Sequence, residues 1–314
     1  MLPHAAWRSW EPSRDLADRV GDRSRAVIVV SDEVREAPAV VALETTLVAH
    51  GFPAGEGVAV GLAAEAAVRE AGAVPATIGV LDGEVRVGLA PNELERFDGS
   101  ARKAGPRDLA ACAVQRTVGA TTVGGTLAVC RAAGIRFMGT GGLGGVHRGF
   151  PHPPDVSADL GEVARTPALV VSAGVKSLLD VPATVELLET LGVPLLGFGT
   201  DDLPLFYSAG GGPALPARVD SADEAARVAR THWELDRGGL LVARPPDESL
   251  DDVEPLIEEA LAAADRQHVS GQGVTPFVLA FLHERSAGRT LEANRKLVVA
   301  NARLAAEVAV AWSR

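Results

Sequence analysis

Lysine is nearly missing from this chain: of 30 basic residues only Lys103, Lys176 and Lys296 are lysines. Where a plain positive charge suffices, arginine supplies it. A retained lysine therefore points to chemistry that needs an amine, because an ammonium can lose its proton and attack a carbonyl while guanidinium stays charged. Cysteine is scarcer still. Cys112 and Cys130 can form one bridge at most, which excludes a disulfide scaffold and points to a reducing compartment, so cytoplasm is expected. Neither lies beside a motif that would make it a nucleophile. Basic blocks are also lacking: the net charge is −11, and no Lys/Arg cluster is available for a phosphate backbone or an anionic bilayer. No nucleic-acid or membrane partner is expected. No apolar run is long enough to span a bilayer, and the segment with Trp7, Arg8, Trp10, Arg14 and Asp15 lacks the apolar stretch of a signal peptide.

What is present, 314 residues with 47% hydrophobic and 23% charged, describes a globular chain able to bury one large core or two smaller ones. Residues 1–25 are charged and aperiodic and read as an N-terminal extension, leaving 26–314 as a single catalytic α/β domain. Ala26 to Ser31 and Val40 to Thr46 have strand length, and Gly57 to Ala71 has helical length. Thr77 to Leu81 and Glu84 to Leu89 flank Asp82-Gly83, which predicts a hairpin with a type I′ turn. Further on, helical segments alternate with apolar runs at Ile135 to Met138, Ala168 to Ala173, Val193 to Phe198 and Leu240 to Ala243. That rhythm predicts a three-layer α/β/α fold with a mostly parallel sheet and ligands near the carboxyl ends of its strands. The last third reads as helical, from Asp251 to about Arg266, from Pro276 behind a Thr275 cap, and from about Thr290 to Ala311.

Several residues stand where chemistry could occur. The strand Ala168 to Ala173 runs into Gly174-Val175-Lys176, so an amine sits just past the carboxyl end of a buried strand, where partial burial frees it for attack on an aldehyde-level carbon. A solvated lysine or a pair with Asp180 is the plainer alternative. Asp155-Val-Ser-Ala-Asp159 offers two carboxylates and a hydroxyl for a hard divalent ion; equally, Ser157 could cap the following helix with Asp159 in its first turn. Glu44 ends an apolar strand, a costly place for a carboxylate without a partner, which fits general acid/base work or an ion pair with arginine. Gly139-Thr-Gly-Gly-Leu-Gly-Gly145 formally contains G-x-G-x-x-G. A dinucleotide fingerprint needs a helix opening there, and Val146 to Pro154 cannot continue as one. Its amides, with His147 and Arg148, could instead form an anion cradle. Lys103, in Arg102-Lys-Ala-Gly-Pro-Arg-Asp108, is a second phosphate candidate or a solvated turn residue.

Read in order, Ala42-Leu-Glu-Thr-Thr46 with His50-Gly51, Lys103 with Arg107-Asp108, Gly119-Ala-Thr-Thr-Val123, Thr140 to Gly149, Asp155 to Asp159 and Ala173-Gly-Val-Lys176 resemble the pseudouridine-5′-phosphate glycosidase family, which includes the indigoidine synthase A-like proteins. The resemblance extends from about Val40 to Ala311 and takes in Thr200-Asp201, Phe206-Tyr207, Arg218 to Ser221, Thr275-Pro-Phe277 and the helix bearing Asn294 and Asn301. It implies reversible cleavage of the C–C glycosidic bond of pseudouridine 5′-phosphate, giving uracil and ribose 5-phosphate. It further implies that Lys176 forms an imine at ribose C1′, that Glu44 donates the proton, and that Asp155 binds Mn²⁺ or another divalent cation. Lys103, Val123, Ser157, Ala158 and Asp159 would contact substrate, with Thr140, His147 and Asn294 as additional contacts. A homotrimer is implied as well. The chain departs from the family pattern at Gly105-Pro106, where Ser-Arg is usual, at Thr45 in place of Ser, and at Phe52-Pro-Ala-Gly55 in place of Met-Pro-Tyr-Pro. Loss of an arginine beside Lys103 raises an enzymatic alternative, a relative acting on a different C-nucleotide or sugar phosphate. A non-catalytic sugar-phosphate-binding protein would share the pocket but has no need of Glu44, Asp155 and Lys176 together.

Overall fold

The computed structural model describes residues 27–148, 155–235, 237–250, 252–269 and 273–314. The expected extension at 1–25 and the helix start at Asp251 lie outside them. In the first half the elements are β1 (Ile28–Val30), α1 (Asp32–Glu36), β2 (Val40–Glu44), α2 (Thr46–His50), α3 (Glu56–Glu70), β3 (Val74–Leu81), β4 (Glu84–Val87), α4 (Pro91–Leu94), β5 (Arg102–Ala104), α5 (Leu109–Gln115), β6 (Gly119–Thr121), α6 (Val123–Ala133) and β7 (Phe137–Gly139). There follow α7 (Ala158–Arg165), β8 (Leu169–Ser172), α8 (Val181–Thr190), β9 (Leu195–Phe198), β10 (Ala217–Val219), α9 (Ala222–Glu234), β11 (Leu240–Ala243), α10 (Glu254–Arg266), α11 (Val274–Arg285) and α12 (Arg289–Ser313).

All these strands join one sheet in the order β1-β4-β3-β2-β7-β8-β11-β9-β10, with β6 on β3 and β5 on β6. From β3 to β10 every neighbouring pair is parallel. Side chains alternate between its faces, as extended backbone requires. Ala42, Val170 and Leu241 enter one core with helices α6, α7, α8 and α10. Val41, Leu43, Val171 and Val242 enter the other with α3, α9 and α12. Strands buried on both faces read as the unbroken apolar runs seen in the sequence, and the result is the expected α/β/α sandwich. The hairpin is also as expected, with Asp82 at φ 55° and Gly83 at φ 89°, the two positive values a type I′ turn demands.

Two expectations are corrected. The strand from Val40 stops at Glu44 rather than Thr46, because the Thr45 hydroxyl donates to Ile78 O (2.7 Å) and the chain turns into α2. Thr275 does not cap: α11 starts at Val274 after Gly273, so Thr275 and Pro276 lie in its first turn. Proline is tolerated there because first-turn amides have no helical acceptor. The consequence for function lies at the carboxyl ends of β2, β7 and β8, where Glu44, Thr140 and Lys176 emerge side by side.

Candidate active site

Between those strand ends and helices α6, α7, α10, α11 and α12 lies a cavity of about 780 Å³. The eleven residues expected to act in catalysis, substrate contact or metal binding all line it: Glu44, Lys103, Val123, Thr140, His147, Asp155, Ser157, Ala158, Asp159, Lys176 and Asn294. Residues spread over 250 positions of sequence, from Glu44 to Asn294, thus reach one space because parallel strands deliver their carboxyl ends to the same edge.

The glycine-rich segment after β7 is not a dinucleotide loop, since no helix opens between Gly139 and Arg148. It folds against the segment after β8: Ala173 N donates to Gly141 O (2.9 Å), Leu143 N to Gly174 O (3.0 Å) and Lys176 N to Leu143 O (3.2 Å). Lys176 is therefore held by backbone on the cavity floor. Glycine is required because a Cβ at Gly142 would meet the Phe206 ring at 2.6 Å and lie 3.3 Å from Lys176 Cγ. Several of the groups expected to form an anion cradle here are engaged within the protein. Gly144 N is taken by Asp159 (3.1 Å), Val146 N by Thr184 (2.9 Å) and His147 N by Asp155 O (3.0 Å). Arg148 turns away to Ser177 O (2.8 Å), Leu179 O (3.3 Å) and Glu254 (2.9 Å).

The two readings of Asp155 to Asp159 separate in space. Ser157 is the N-cap of α7, accepting from Asp159 N (3.2 Å). Asp159 is buried, and its carboxylate accepts from Gly124 N (2.7 Å) and Gly144 N (3.1 Å). It thereby ties the start of α6 to the glycine loop. Asp155 remains half-exposed to the cavity, with His147 Nδ1 at 3.8 Å from Oδ2. Among the described residues no group of three or more His, Cys, Asp and Glu could enclose a metal ion. The donor set fits a hard cation only as a partly hydrated ion on Asp155, completed by water and substrate oxygens.

The charged groups act on one another. Glu44 accepts from Thr140 Oγ1 (2.5 Å). Burial holds its carboxyl above the ordinary range, opposed by the Lys176 ammonium and the Thr140 hydrogen bond, while Asp159 adds to the rise. A carboxyl whose proton affinity is raised beside a lysine suits proton transfer. Burial, and then the like charge of Lys176, pull Lys103 below the usual lysine range. Burial also pulls His147 below the usual imidazole range, with Asp155 opposing and both lysines adding to the fall. Neither Lys103 nor Lys176 has an ion-pair partner among the described residues; Lys296, by contrast, pairs with Glu248 at 3.1 Å. The expected alternative of a Lys176–Asp180 pair does not form, since Asp180 caps α8 through Ala183 N (3.0 Å). Lys103 and the N-termini of α6 and α7 line the cavity together, with the Asp159 carboxylate already on Gly124 N between the two helices. Phe206, Ile257, Leu279 and Leu282 supply an apolar part of the lining. Sequence reasoning missed Ile257, Leu279 and Leu282, because they carry the same helical periodicity as the core.

The family described as indigoidine synthase A like protein matches residues 29–311. A pseudouridine-5′-phosphate glycosidase of Myxococcus xanthus is 47% identical over 296 residues, covering 90% of this chain and 98% of that protein. One of Chloroflexus aurantiacus is likewise 47% identical, covering 90% and 96%. Among solved structures, the prealnumycin C-glycosynthase AlnA in complex with ribulose 5-phosphate superposes with a TM-score of 0.83 at 39% identity, covering 92% of this chain and 98% of that one. An indigoidine synthase A-like protein of Thermotoga maritima gives a TM-score of 0.83 at 37% identity, covering 92% and 97%.

Proposed function

The chain belongs to the indigoidine synthase A-like family, and from that premise we propose that it reversibly cleaves the C–C glycosidic bond of pseudouridine 5′-phosphate with water, giving uracil and ribose 5-phosphate. One observation supports this reading above the rest: Lys176, without an ion-pair partner among the described residues, and the half-buried Glu44 carboxyl line one cavity with a second lysine, Lys103.

The chemistry explains the pairing. A C-nucleoside lacks the ring nitrogen that serves as leaving group in ordinary nucleosides, so an electron pair must be driven onto carbon. Lys176 Nζ, as the free amine, attacks C1′ as the ring C1′–O4′ bond breaks, and the proton the nitrogen then loses passes to O4′, giving an open-chain amine adduct. The nitrogen lone pair then forms C1′=N while the C1′–C5 bond breaks, and the pair it leaves on uracil C5 takes a proton from Glu44. Water adds to the imine, Lys176 departs, and ribose 5-phosphate is released. Run backwards, ionised Glu44 removes the C5 proton. Lys103, with the starts of α6 and α7 at Val123 and Ala158, holds the phosphate, while Thr140, His147 and Asn294 orient the sugar and base. Mn²⁺ or another divalent cation on Asp155, when bound, supplies a positive charge that orients substrate oxygens. The same reading makes the protein a cytoplasmic homotrimer, the former supported by two unpaired, buried cysteines; sedimentation tests the latter.

A different carbon partner on the same sugar phosphate is the second reading, supported by Gly105-Pro106 beside Lys103 and by the C-glycosynthase relative. Incubating the purified protein with Mn²⁺, uracil and ribose 5-phosphate should yield pseudouridine 5′-phosphate. No product from folded protein defeats the first reading. If borohydride still traps ribose 5-phosphate on Lys176, the second stands, and if nothing is trapped the protein is a non-catalytic binder.

A further inference from the structure

We propose that Asn301, on α12, is a positioning residue that aims the Thr140 hydroxyl at Glu44 and so sets the geometry of proton transfer. The inference rests on the role given to Glu44 above. Asn301 is fully buried and does not touch the cavity. Its side-chain amide donates to Thr140 O (2.8 Å) and to Gly141 O (3.3 Å). Thr140 N donates to Val171 O (3.0 Å) on β8, so the peptide groups on both sides of its Cα are fixed, one by the sheet and one by α12. Only the hydroxyl is left to choose a partner, and it donates to Glu44 Oε1 (2.5 Å).

Two further observations indicate that the amide is kept for this contact. Asn301 Oδ1 is a buried acceptor without a partner among the described residues, so this side chain carries a cost an apolar residue would avoid. In addition, α12 is pressed against the end of β7: a Cβ on Gly139 would lie 2.8 Å from Ala302 Cα and 3.3 Å from Asn301 O. That contact sets the distance between helix and loop independently of the Asn301 side chain. Packing therefore brings the helix close, and the amide fixes the rotation of the Thr140 peptide.

The Thr140 hydrogen bond favours ionised Glu44, as do Lys176 and Lys103, whereas burial and Asp159 oppose ionisation. Loosening Thr140 should raise the pH at which Glu44 titrates. In Asn301→Leu, kcat for synthesis should fall about tenfold with KM for ribose 5-phosphate little changed, as expected when orientation of an acid/base group is lost. The acid limb of the pH–kcat profile should move upward, and Thr140→Val should move it the same way. The double variant should add nothing to Thr140→Val alone, because Asn301 acts through Thr140. If Asn301→Leu does not fold, Asn301→Ser provides the same comparison. A uniform loss of activity with the limb unmoved, or full additivity in the double variant, would overturn the proposal in favour of a structural brace. Glu44→Gln separates the two failures: if it leaves the limb in place, Glu44 is not the titrating group and the mechanism above fails first.

Discussion

Each of the three lysines has a different environment. Lys296 spends its charge on Glu248 at the surface, Lys103 lines the cavity without an ion-pair partner among the described residues, and Lys176 lines it beside the half-buried Glu44 carboxyl. If Lys176 forms the imine, charge alone cannot replace it. Lys176→Arg should lower turnover on the order of 10³-fold or more, measured as uracil consumption with ribose 5-phosphate, while the protein keeps its fold. Near-normal activity in that variant would sink the mechanism, as would borohydride labelling at another residue. The scarcity of lysine makes these positions legible in the sequence, since rarity marks where arginine was not acceptable. Asn301 is not legible in that way. It reads as one polar residue in a mostly apolar helix, and its use depends on a carbonyl 161 positions away.

At the scale of elements, what the sequence showed depended on length and turn chemistry. Asp82-Gly83 announced its hairpin, and the long apolar runs announced β2, β8 and β11. Strands β5, β6 and β10 span three residues each and, unlike the equally short β1 and β7, lie in no apolar run; β5 pairs with β6, and β6 with β3. Asp159 shows the same limit, because a carboxylate in a first turn looks identical whether it favours the helix dipole or clamps two loops. Gly144 tests that clamp. A Cβ there would fall 2.4 Å from Ser157 Oγ and 2.6 Å from Asp159 Oδ2. Gly144→Ala should destabilise the fold by about 1–3 kcal/mol in denaturant titration and raise KM for ribose 5-phosphate. An unchanged midpoint would show that the loop yields. Glu65, on α3, gives a second test. It is buried and accepts from Thr77 Oγ1 (2.5 Å), and burial holds its carboxyl above the ordinary range. The folded protein therefore binds that proton more tightly than the unfolded chain. The stabilising contribution is complete below the unfolded pKa and is lost as pH rises through the folded one. Glu65→Gln keeps an acceptor for Thr77 but cannot ionise. Its gain in Tm over the parent should be near zero at about pH 4 and grow to about 2–4 °C by about pH 8. A gain that shrinks with pH would contradict the assignment.

Across the whole molecule, a net charge of −11 has to be reconciled with an anionic substrate. The sheet resolves this locally. Parallel strands bring their carboxyl ends to one edge, and there Lys103 and Lys176, neither with an ion-pair partner among the described residues, line one cavity of an otherwise acidic protein. An approaching sugar phosphate is repelled at long range and held at short range, and salt acts differently on the two. Raising ionic strength from about 0.01 M to about 0.15 M shortens the screening length from about 30 Å to about 8 Å. That weakens the distant repulsion more than contacts made inside the cavity. The value of kcat/KM for ribose 5-phosphate should accordingly rise or stay within about threefold over that range, unlike that of an enzyme with a basic entrance, which falls steeply. Lys103→Met should raise KM by about tenfold or more at every salt concentration, because it removes the short-range term alone. A steep fall with salt in the parent protein would mean that long-range attraction brings the substrate in and that the acidic surface has a basic route not identified among the residues lining the cavity.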